Sequence, residues 1–214
     1  MSRLKAMSLS VSIDGFLAGP NQSLEQPLGD GGVALHEWAL GTRSFRQMHG
    51  GEGGLTGPDE DFMRAGFAGI GQVDFGPKHA RAGARPLARR SMKRLMGDGP
   101  SHHCPVFVLT HHARASILMQ GGTALHFITG GIHEVLARAR EAAGGRDVCV
   151  GGGAALVRHC LQAGLIDELH MAVAPAVLGP EESLLGGIEL VASGLRMVRH
   201  TGTPAGLHVV LRKG

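Results

Sequence analysis

Three consecutive glycines, Gly151 to Gly153, stand between a short apolar segment and a segment with helical spacing of apolar residues. Val148 to Val150 predicts a buried strand, and Ala154 to Ala163 predicts a helix that begins directly after the glycines. Glycine lets the backbone approach a ligand closely, and a helix amino terminus presents free N–H groups. The passage predicts a phosphate or pyrophosphate cradle formed by Gly151, Gly152, Gly153 and Ala154. It would serve equally as a tight connection without a ligand, because it matches neither GxGxxG nor a Walker loop.

Asp14 is the second candidate, and it follows a predicted strand over Leu4 to Ser12. Ligands of open α/β sheets lie at the carboxyl ends of the strands, so a carboxylate there could hold an amino or hydroxyl group of a substrate. The alternative is an Asx turn in front of Gly15, which needs no ligand.

Histidines are numerous, and two pairs, His102-His103 and His111-His112, flank a predicted strand over 105–110. Neighbouring residues of a strand point to opposite faces, so each pair could offer only one ligand to a metal. The chain contains no HExxH motif, and we expect no metal site. Thr110 and His111, at the carboxyl end of the strand, are better placed to contact a cofactor phosphate or ribose.

The remaining periodic segments alternate between strand and helix in the second half of the chain. This order predicts an α/β fold with a mostly parallel central sheet, helices on both faces and a C-terminal antiparallel hairpin. A single domain over 1–214 is the simplest organisation. The other predicted elements are helices over 35–45, 56–67 and 132–143, strands over 125–129 and 169–174, and the hairpin strands 195–200 and 207–212.

Composition excludes several classes of protein. Hydrophobic residues make up 43% and charged residues 18% of the chain, which is typical of a globular domain. No apolar run approaches the ~20 residues that span a bilayer, so we expect a cytoplasmic protein without a membrane partner. Three cysteines without CxxC spacing indicate neither a disulfide framework nor a zinc site.

The net charge of +3 originates in one segment. Seven of the 21 basic residues lie between Phe75 and Gly97, a stretch without any acidic residue. Such a run is typical of nucleic-acid binding, but this one lacks interleaved aromatic residues. A solvated loop is the preferred interpretation of Lys78 to Arg94, and no nucleic-acid partner is expected. Residues 72–100 fit no helix or strand.

Several blocks in order along the chain carry a family resemblance. Together they resemble the bacterial dihydrofolate-reductase-like family related to the reductase domain of riboflavin biosynthesis. The matching blocks are Ser10–Gly19, His36–Trp38, Val106–His112, Gly130–Ile132, Asp147–Ala154, Gly164–His170 and Pro175–Gly179.

The resemblance implies a dihydrofolate-reductase-like domain that binds NADPH and reduces a small-molecule substrate, often as a homodimer. It places the glycines 151–153 and Ala154 at the cofactor pyrophosphate, and Thr110 and His111 at the adenosine ribose or 2′-phosphate. Asp14 would face the substrate near the nicotinamide. The substrate would be heterocyclic or ribosylamino, as for 5-amino-6-(5-phosphoribosylamino)uracil reductase. Folate itself is not expected, since no acidic residue is placed on the helix that would hold a pterin ring.

One departure from the family concerns the region after Val73. Relatives carry there a strand and a Gly-Arg turn that binds cofactor phosphates, whereas this chain reads Gly76-Pro77-Lys78-His79 and predicts no strand. We interpret Val73 to Arg90 as a compensated frameshift, because a one-base shift can restore Gly-Arg and a Trp-containing loop. The nucleotide sequence of these codons tests the hypothesis, which fails if they cannot yield that alternative peptide.

If the protein is made as written, the departure predicts weak or absent NADPH binding. Two further interpretations then remain beside an active reductase. One is a catalytically impaired family member, and the other is a nucleic-acid-binding protein that uses the basic segment 78–94.

Overall fold

The computed structural model describes residues 2–23, 25–75, 104–119, 122–151, 153–179 and 183–214. Its strands are β1 (Leu4–Ser12), β2 (Ile70–Phe75), β3 (Val106–Leu109), β4 (Ile117–Leu118), β5 (Ala124–Ile128), β6 (Asp147–Val150), β7 (Glu168–Ala174), β8 (Leu195–Thr203) and β9 (Gly206–Lys213). Its helices are α1 (Glu37–Leu40), α2 (Arg43–Met48), α3 (Pro58–Phe67), α4 (Ile132–Ala143) and α5 (Ala154–Gln162), with a 3-10 helix over Gly32–His36. Within these ranges no helix is long and apolar enough to cross a membrane.

The nine strands form one sheet in the order β4-β5-β3-β2-β6-β1-β7-β9-β8. The six strands from β5 to β7 are parallel to one another. Short β4 pairs antiparallel at one side, and β9 and β8 pair antiparallel at the other. The predicted α/β class, parallel centre and C-terminal hairpin are therefore confirmed, and the parallel strands all end at one carboxyl edge.

Helices cover both faces of the sheet, as predicted. On one face α4 and α5 bury Val135 and Leu156 against Leu169 of β7. On the opposite face α1 and α3 contribute Trp38 and Phe62 to a second core. On each helix, apolar residues separated by three or four positions form the face that contacts the sheet. Alternate residues of the strands point toward that face and pack against it.

The prediction that no strand occupies residues 72–75 is wrong. Strand β2 runs from Ile70 to Phe75 and lies in the centre of the sheet, parallel to both β3 and β6. Its sequence has weak strand propensity, but neighbouring strands pair with it on both sides, and such tertiary context overrides local preference. The rest of the segment with the predicted frameshift, from Gly76 onward, lies outside the described residues.

The helix predicted over 35–45 is divided in two. Helix α1 ends at Leu40, and Thr42 starts α2 by accepting a hydrogen bond from the backbone N–H of Phe45 at 3.3 Å. The Thr42 hydroxyl also donates to the carbonyl of Ala39 at 2.6 Å. A threonine that caps one helix and closes the previous one explains why a continuous apolar pattern contains a break.

Strand β1 carries one extra residue in its middle. Met7 and Ser8 lie together opposite the single residue His170 of β7, which makes a β-bulge. Ser8 has a φ of 56°, which is rare for a residue other than glycine.

This extra residue reverses the alternation of β1. Leu4 and Ala6 face the core beneath α4 and α5, and so do Leu9 and Val11. In an uninterrupted strand the even-numbered and odd-numbered positions would face opposite sides. The bulge therefore lets both halves of β1 contribute to the same core.

Charged side chains tie together the amino ends of β1, β6 and β7. Lys5 Nζ lies 2.6 Å from a carboxylate oxygen of Asp147, and the backbone N–H of Leu4 donates to Asp167 at 2.7 Å. Burial alone would raise the pKa of Asp147, but hydrogen bonds and charges from Lys5 and Arg3 outweigh it and lower that pKa. The three strands are therefore held together firmly at this edge.

Two buried histidines lie in the core beneath α1 and α3. His170 and His208 are fully buried, and their rings approach at 3.0 Å between Nε2 of His170 and Nδ1 of His208. Phe62 stacks on both rings, with centroid distances of 4.8 and 4.2 Å. Burial lowers the pKa of His170 to about 3, and electrostatic interactions with His208 and Arg199 act in the same direction.

We predict that the stability of the fold decreases as the pH falls below the ordinary histidine pKa of about 6.5. The unfolded chain binds a proton at residue 170 that the folded chain excludes until pH 3, so the free energy of unfolding should fall by up to ~1.4 kcal/mol per pH unit from this group. Denaturant unfolding between pH 7 and 5 measures the slope.

His170→Asn should flatten that slope by about one proton. The same substitution at the exposed His133 of α4 is the matched control and should leave it unchanged. Equal slopes for wild type and His170→Asn would contradict the prediction.

Candidate functional site

The predicted site residues all follow parallel strands, and they therefore meet at the carboxyl edge. Asp14 follows β1, Thr110 and His111 follow β3, and Gly151 follows β6. Ligands of open α/β sheets bind at this edge, where helix amino termini and strand ends converge. Gly152 lies outside the described residues.

Strand β1 continues past the end of β6, and the space beside it there is called the crevice. Strand β6 ends at Val150, one residue beyond the level of Lys5. The two strands pair only at Leu4 and Lys5, opposite Val148 and Cys149. By contrast, β1 pairs with β7 as far as Ser12. Beyond the bulge, the β1 edge that faces β6 therefore borders the turn into α5 and forms one wall of the crevice.

The turn after β6 forms the other wall. Gly153 precedes α5 with extended backbone, and the helix has no side-chain cap at its amino end. Ala154 is fully buried beneath the turn, whereas Gly151 is exposed. The first N–H groups of α5, which have no carbonyl partner within the helix, are therefore available to an anionic group above the turn.

Thr110 and His111 lie two strands away from this turn, since β2 separates β3 from β6. Thr110 continues the ladder to Ile128 with a backbone hydrogen bond of 3.0 Å, and its hydroxyl accepts from the N–H of His112 at 3.2 Å. His111 is exposed. At ~4.8 Å per strand, Thr110 and the glycine turn lie roughly 10 Å apart across the edge.

The Asp14 carboxylate is held by the loop that follows β7. It accepts hydrogen bonds from the backbone N–H groups of Gly179 at 2.9 Å and Leu178 at 3.3 Å. A hydrogen bond from Ser12, together with these two N–H groups, lowers the pKa of Asp14 below its ordinary value. The side chain is exposed and stays ionised at neutral pH, which makes it a hydrogen-bond acceptor and unsuited to donating a proton.

The structure does not bring Asp14 next to the glycine turn. Lys5 of β1 is level with Cys149 of β6. Along β1, Ser12 lies seven residues beyond Lys5, and one of these is the bulge residue. Along β6, Gly151 lies two residues beyond Cys149. The remaining difference of four residues (7 − 1 − 2) corresponds to roughly 13 Å at ~3.3 Å per residue. Asp14 and the turn therefore both lie at the crevice, but at different positions along the direction of β1.

A second glycine turn escaped prediction as part of the site. Gly130 and Gly131 connect β5 to α4 at the same carboxyl edge, and Gly131 starts the helix with a φ of 90°. The pattern of strand, glycines and helix is the one that singled out Gly151 to Gly153, so the same signal could have found it. Two other contributors, Leu178 and Gly179, act through their backbone and leave no signature in side-chain type.

Metal ligands are not gathered at this edge. Across the described ranges, no group of three or more His, Cys, Asp or Glu side chains lies close enough to hold a metal ion. His102 and His103, one of the two pairs considered from the sequence, lie outside those ranges.

Solved structures share this fold at low sequence identity. A protein assigned to riboflavin biosynthesis from Shewanella sp. PV-4 has 17% identity and a TM-score of 0.61, over 100% of this chain and 99% of that one. Dihydrofolate reductase from Enterococcus faecalis, complexed with NADP(H) and RAB-propyl, has 14% identity and a TM-score of 0.52, over 99% and 96% of the two chains. The fold is therefore dihydrofolate-reductase-like.

A third structure is longer than this chain. RibD from Acinetobacter baumannii has 17% identity and a TM-score of 0.52, and the match covers 100% of this chain but 58% of that protein. A comparison with curated proteins returned no match.

Residues 6–209 match the family model described as the RibD C-terminal domain, which is almost the whole chain. The chain belongs to the RibD C-terminal domain family, a family of the reductase type.

Proposed function

We propose that this protein is an NADPH-dependent reductase that transfers a hydride to a small heterocyclic or ribosylamino substrate. The observation that carries the proposal is that β1 continues past the end of β6 directly beside the glycine turn of α5. A planar ring could lie along the β1 edge left without a neighbouring strand there, while the phosphates of the same ligand lie over the helix amino terminus.

The residues at the carboxyl edge fit a dinucleotide. The first N–H groups of α5 have no side-chain cap, which would suit a pyrophosphate held beside Gly151 and Gly153. Thr110 and His111, roughly 10 Å away across β2, would contact the adenosine ribose or its 2′-phosphate. This arrangement supports an elongated cofactor that lies across β6, β2 and β3.

NADPH, when bound, supplies the hydride, and the protein supplies orientation. Asp14 would accept a hydrogen bond from an amino or hydroxyl group of the substrate at the outer end of the crevice. Because its pKa is lowered, Asp14 would orient the substrate and would not deliver a proton. Holding the two reactants in line is then the main contribution of the fold to the rate.

Family membership supports the reaction class. The related RibD of A. baumannii and the riboflavin biosynthesis protein of Shewanella point to a ribosylamino heterocycle of the kind reduced by 5-amino-6-(5-phosphoribosylamino)uracil reductase. The dihydrofolate reductase with bound NADP(H) supports the choice of cofactor. Gly76 to His79, where the sequence departs from the family, lie outside the described residues, so a binding measurement has to decide between an active and an impaired member.

NADPH fluorescence titration of the purified protein tests the cofactor. We expect micromolar binding, and Gly151→Asp should weaken it at least ~10-fold, or about 1.4 kcal/mol, because a carboxylate would face the pyrophosphate.

Gly202→Asp is the matched control. Gly202 lies in the exposed strand β8, has ordinary backbone angles and has open space around it, so this variant should bind as wild type does. No binding by the wild-type protein would refute the proposal and support a catalytically impaired family member.

Asp14→Asn tests the substrate end of the crevice. The amide retains one oxygen for the N–H of Gly179 but loses the charge, so we expect kcat/KM to fall at least ~10-fold while the NADPH dissociation constant stays within ~2-fold. Asp61→Asn, an exposed carboxylate of α3, serves as control. A parallel loss of NADPH affinity would show that Asp14 shapes the cofactor site and does not hold the substrate.

A further inference from the structure

The bulge in β1 leaves one backbone donor without a partner in the sheet. Ala6 pairs with Leu169 and Leu9 with Met171, so the residues between them cannot both join the ladder with β7. The N–H of Ser8 donates instead to Nδ1 of the His170 side chain at 3.1 Å. A backbone donor inside a sheet is costly to leave unpaired, and here a histidine ring satisfies it.

That histidine is the first member of a chain of hydrogen bonds. Nε2 of His170 lies 3.0 Å from Nδ1 of His208, and Nε2 of His208 lies 2.7 Å from a carboxylate oxygen of Asp59 at the start of α3. Ser8 supplies a donor at one end, and Asp59 supplies an acceptor at the other.

The two ends of the chain fix where its protons lie. Because Nδ1 of His170 accepts from Ser8, a neutral His170 carries its proton on Nε2 and donates it to Nδ1 of His208. His208 then carries its own proton on Nε2 and donates it to Asp59. If either of these bonds ran in the opposite direction, His170 would have to carry its proton on Nδ1. That N–H would then point at the N–H of Ser8.

Packing holds both rings in this orientation. Phe62 stacks on both, and the edge of Trp38 meets them at centroid distances of 6.0 and 5.0 Å. The guanidinium carbon of Arg199 in β8 lies over the Phe62 ring, 4.2 Å from its centroid. The groups with charge or titrating protons that face His170 are thus His208 from β9, Asp59 from α3 and Arg199 from β8, while β1 presents the Ser8 N–H.

The position of the bulge connects this chain of hydrogen bonds to the crevice. Strand β6 ends at Val150, one residue beyond the level of Lys5, so the bulge at Met7 and Ser8 begins the part of β1 that lines the crevice. If Ser8 were released, the extra residue could be lost from the register, and this part of β1 would shift along β7. The position of the β1 edge that lines the crevice therefore depends on the anchor at Ser8.

We propose that Asp59, His208 and His170 are positioning residues that hold the Ser8 bulge and thereby place the β1 edge that lines the crevice for the nicotinamide end of the cofactor. This inference rests on the proposed function for the identity of the ligand. In this proposal none of the three residues touches the cofactor or the substrate, and each acts through β1.

Added protons should disable the anchor. A second proton on His170 has only Nδ1 to occupy, where it would meet the N–H of Ser8, so protonation breaks the bond that holds the bulge. In folded wild type, NADPH affinity should therefore fall only as the pH approaches 3, where His170 takes up this proton, and not at the higher pH where stability begins to decrease.

Two substitutions of His170 distinguish the loss of its hydrogen bond to Ser8 from the loss of its buried ring. Asn at position 170 presents an amide oxygen at the place of Nδ1 and can still accept from Ser8, whereas Gln presents an amide N–H at the place of Nε2 and keeps only the bond to His208. Both variants lose the same ring. We expect His170→Gln to raise the KM for NADPH at least ~10-fold and His170→Asn to change it less than ~3-fold.

Amide hydrogen exchange at Ser8 gives a readout that needs no cofactor. The Ser8 N–H should be protected in wild type and in His170→Asn, and should exchange at least ~10-fold faster in His170→Gln. A purely structural role would lower the stability of both variants alike without separating them in KM or in exchange.

Asp59→Asn and Asp59→Ala repeat the comparison at the accessible end of the chain, in case a variant at position 170 does not fold. Asn retains an oxygen for His208 and should preserve Ser8 protection and NADPH affinity, and Ala should lose both. Equal values within each pair would overturn the inference. Absence of NADPH binding by wild type would instead overturn the proposed function, and Ser8 exchange would still report on the anchor.

Discussion

The backbone N–H of Ser8 leaves the sheet and bonds to the ring of His170, and much of the molecule is arranged around that hydrogen bond. It allows β1 to contain one residue more than its partner β7. The extra residue turns Leu9 and Val11 toward the same core as Leu4 and Ala6, which a regular strand could not do. The main core, the direction of β1 and the site at its end all follow from this local irregularity.

Different interactions hold the amino ends and the carboxyl ends of the parallel strands. At the amino edge, ion pairs and hydrogen bonds join Lys5, Asp147 and Asp167 across the three central strands. At the carboxyl edge, glycine turns and a carboxylate bound by backbone N–H groups replace them. A sheet fixed at the amino ends of its strands could hold a ligand at the carboxyl ends, beside the glycine turns, without losing the core beneath.

Much of this architecture could be predicted because its information is local. The bounds predicted for α4, 132–143, are those of the structure, since Ile132, Val135, Leu136 and Ala139 mark a single buried stripe. The glycine turn was found for the same reason.

Other features depend on residues far apart in the chain. Strand β2 is imposed by its two neighbours, so its own sequence gave no reason to expect it. The partners of Asp14 are backbone groups of Leu178 and Gly179, more than 160 positions away. The association of His170, His208 and Asp59 left one faint trace, the change from even-numbered to odd-numbered apolar positions within LKAMSLSVS.

The central place of β1 also constrains how the chain reaches its native state. Leu4 pairs with Val148, 144 positions later (148 − 4), and Ser12 pairs with Ala174. A strand made early in synthesis therefore waits for most of the chain to leave the ribosome before it has any partner in the sheet. Closing loops of this size is slow, and an apolar strand with two open edges is prone to aggregation meanwhile. Slow refolding is the expected kinetic counterpart of placing the N-terminal strand at the centre of a parallel sheet.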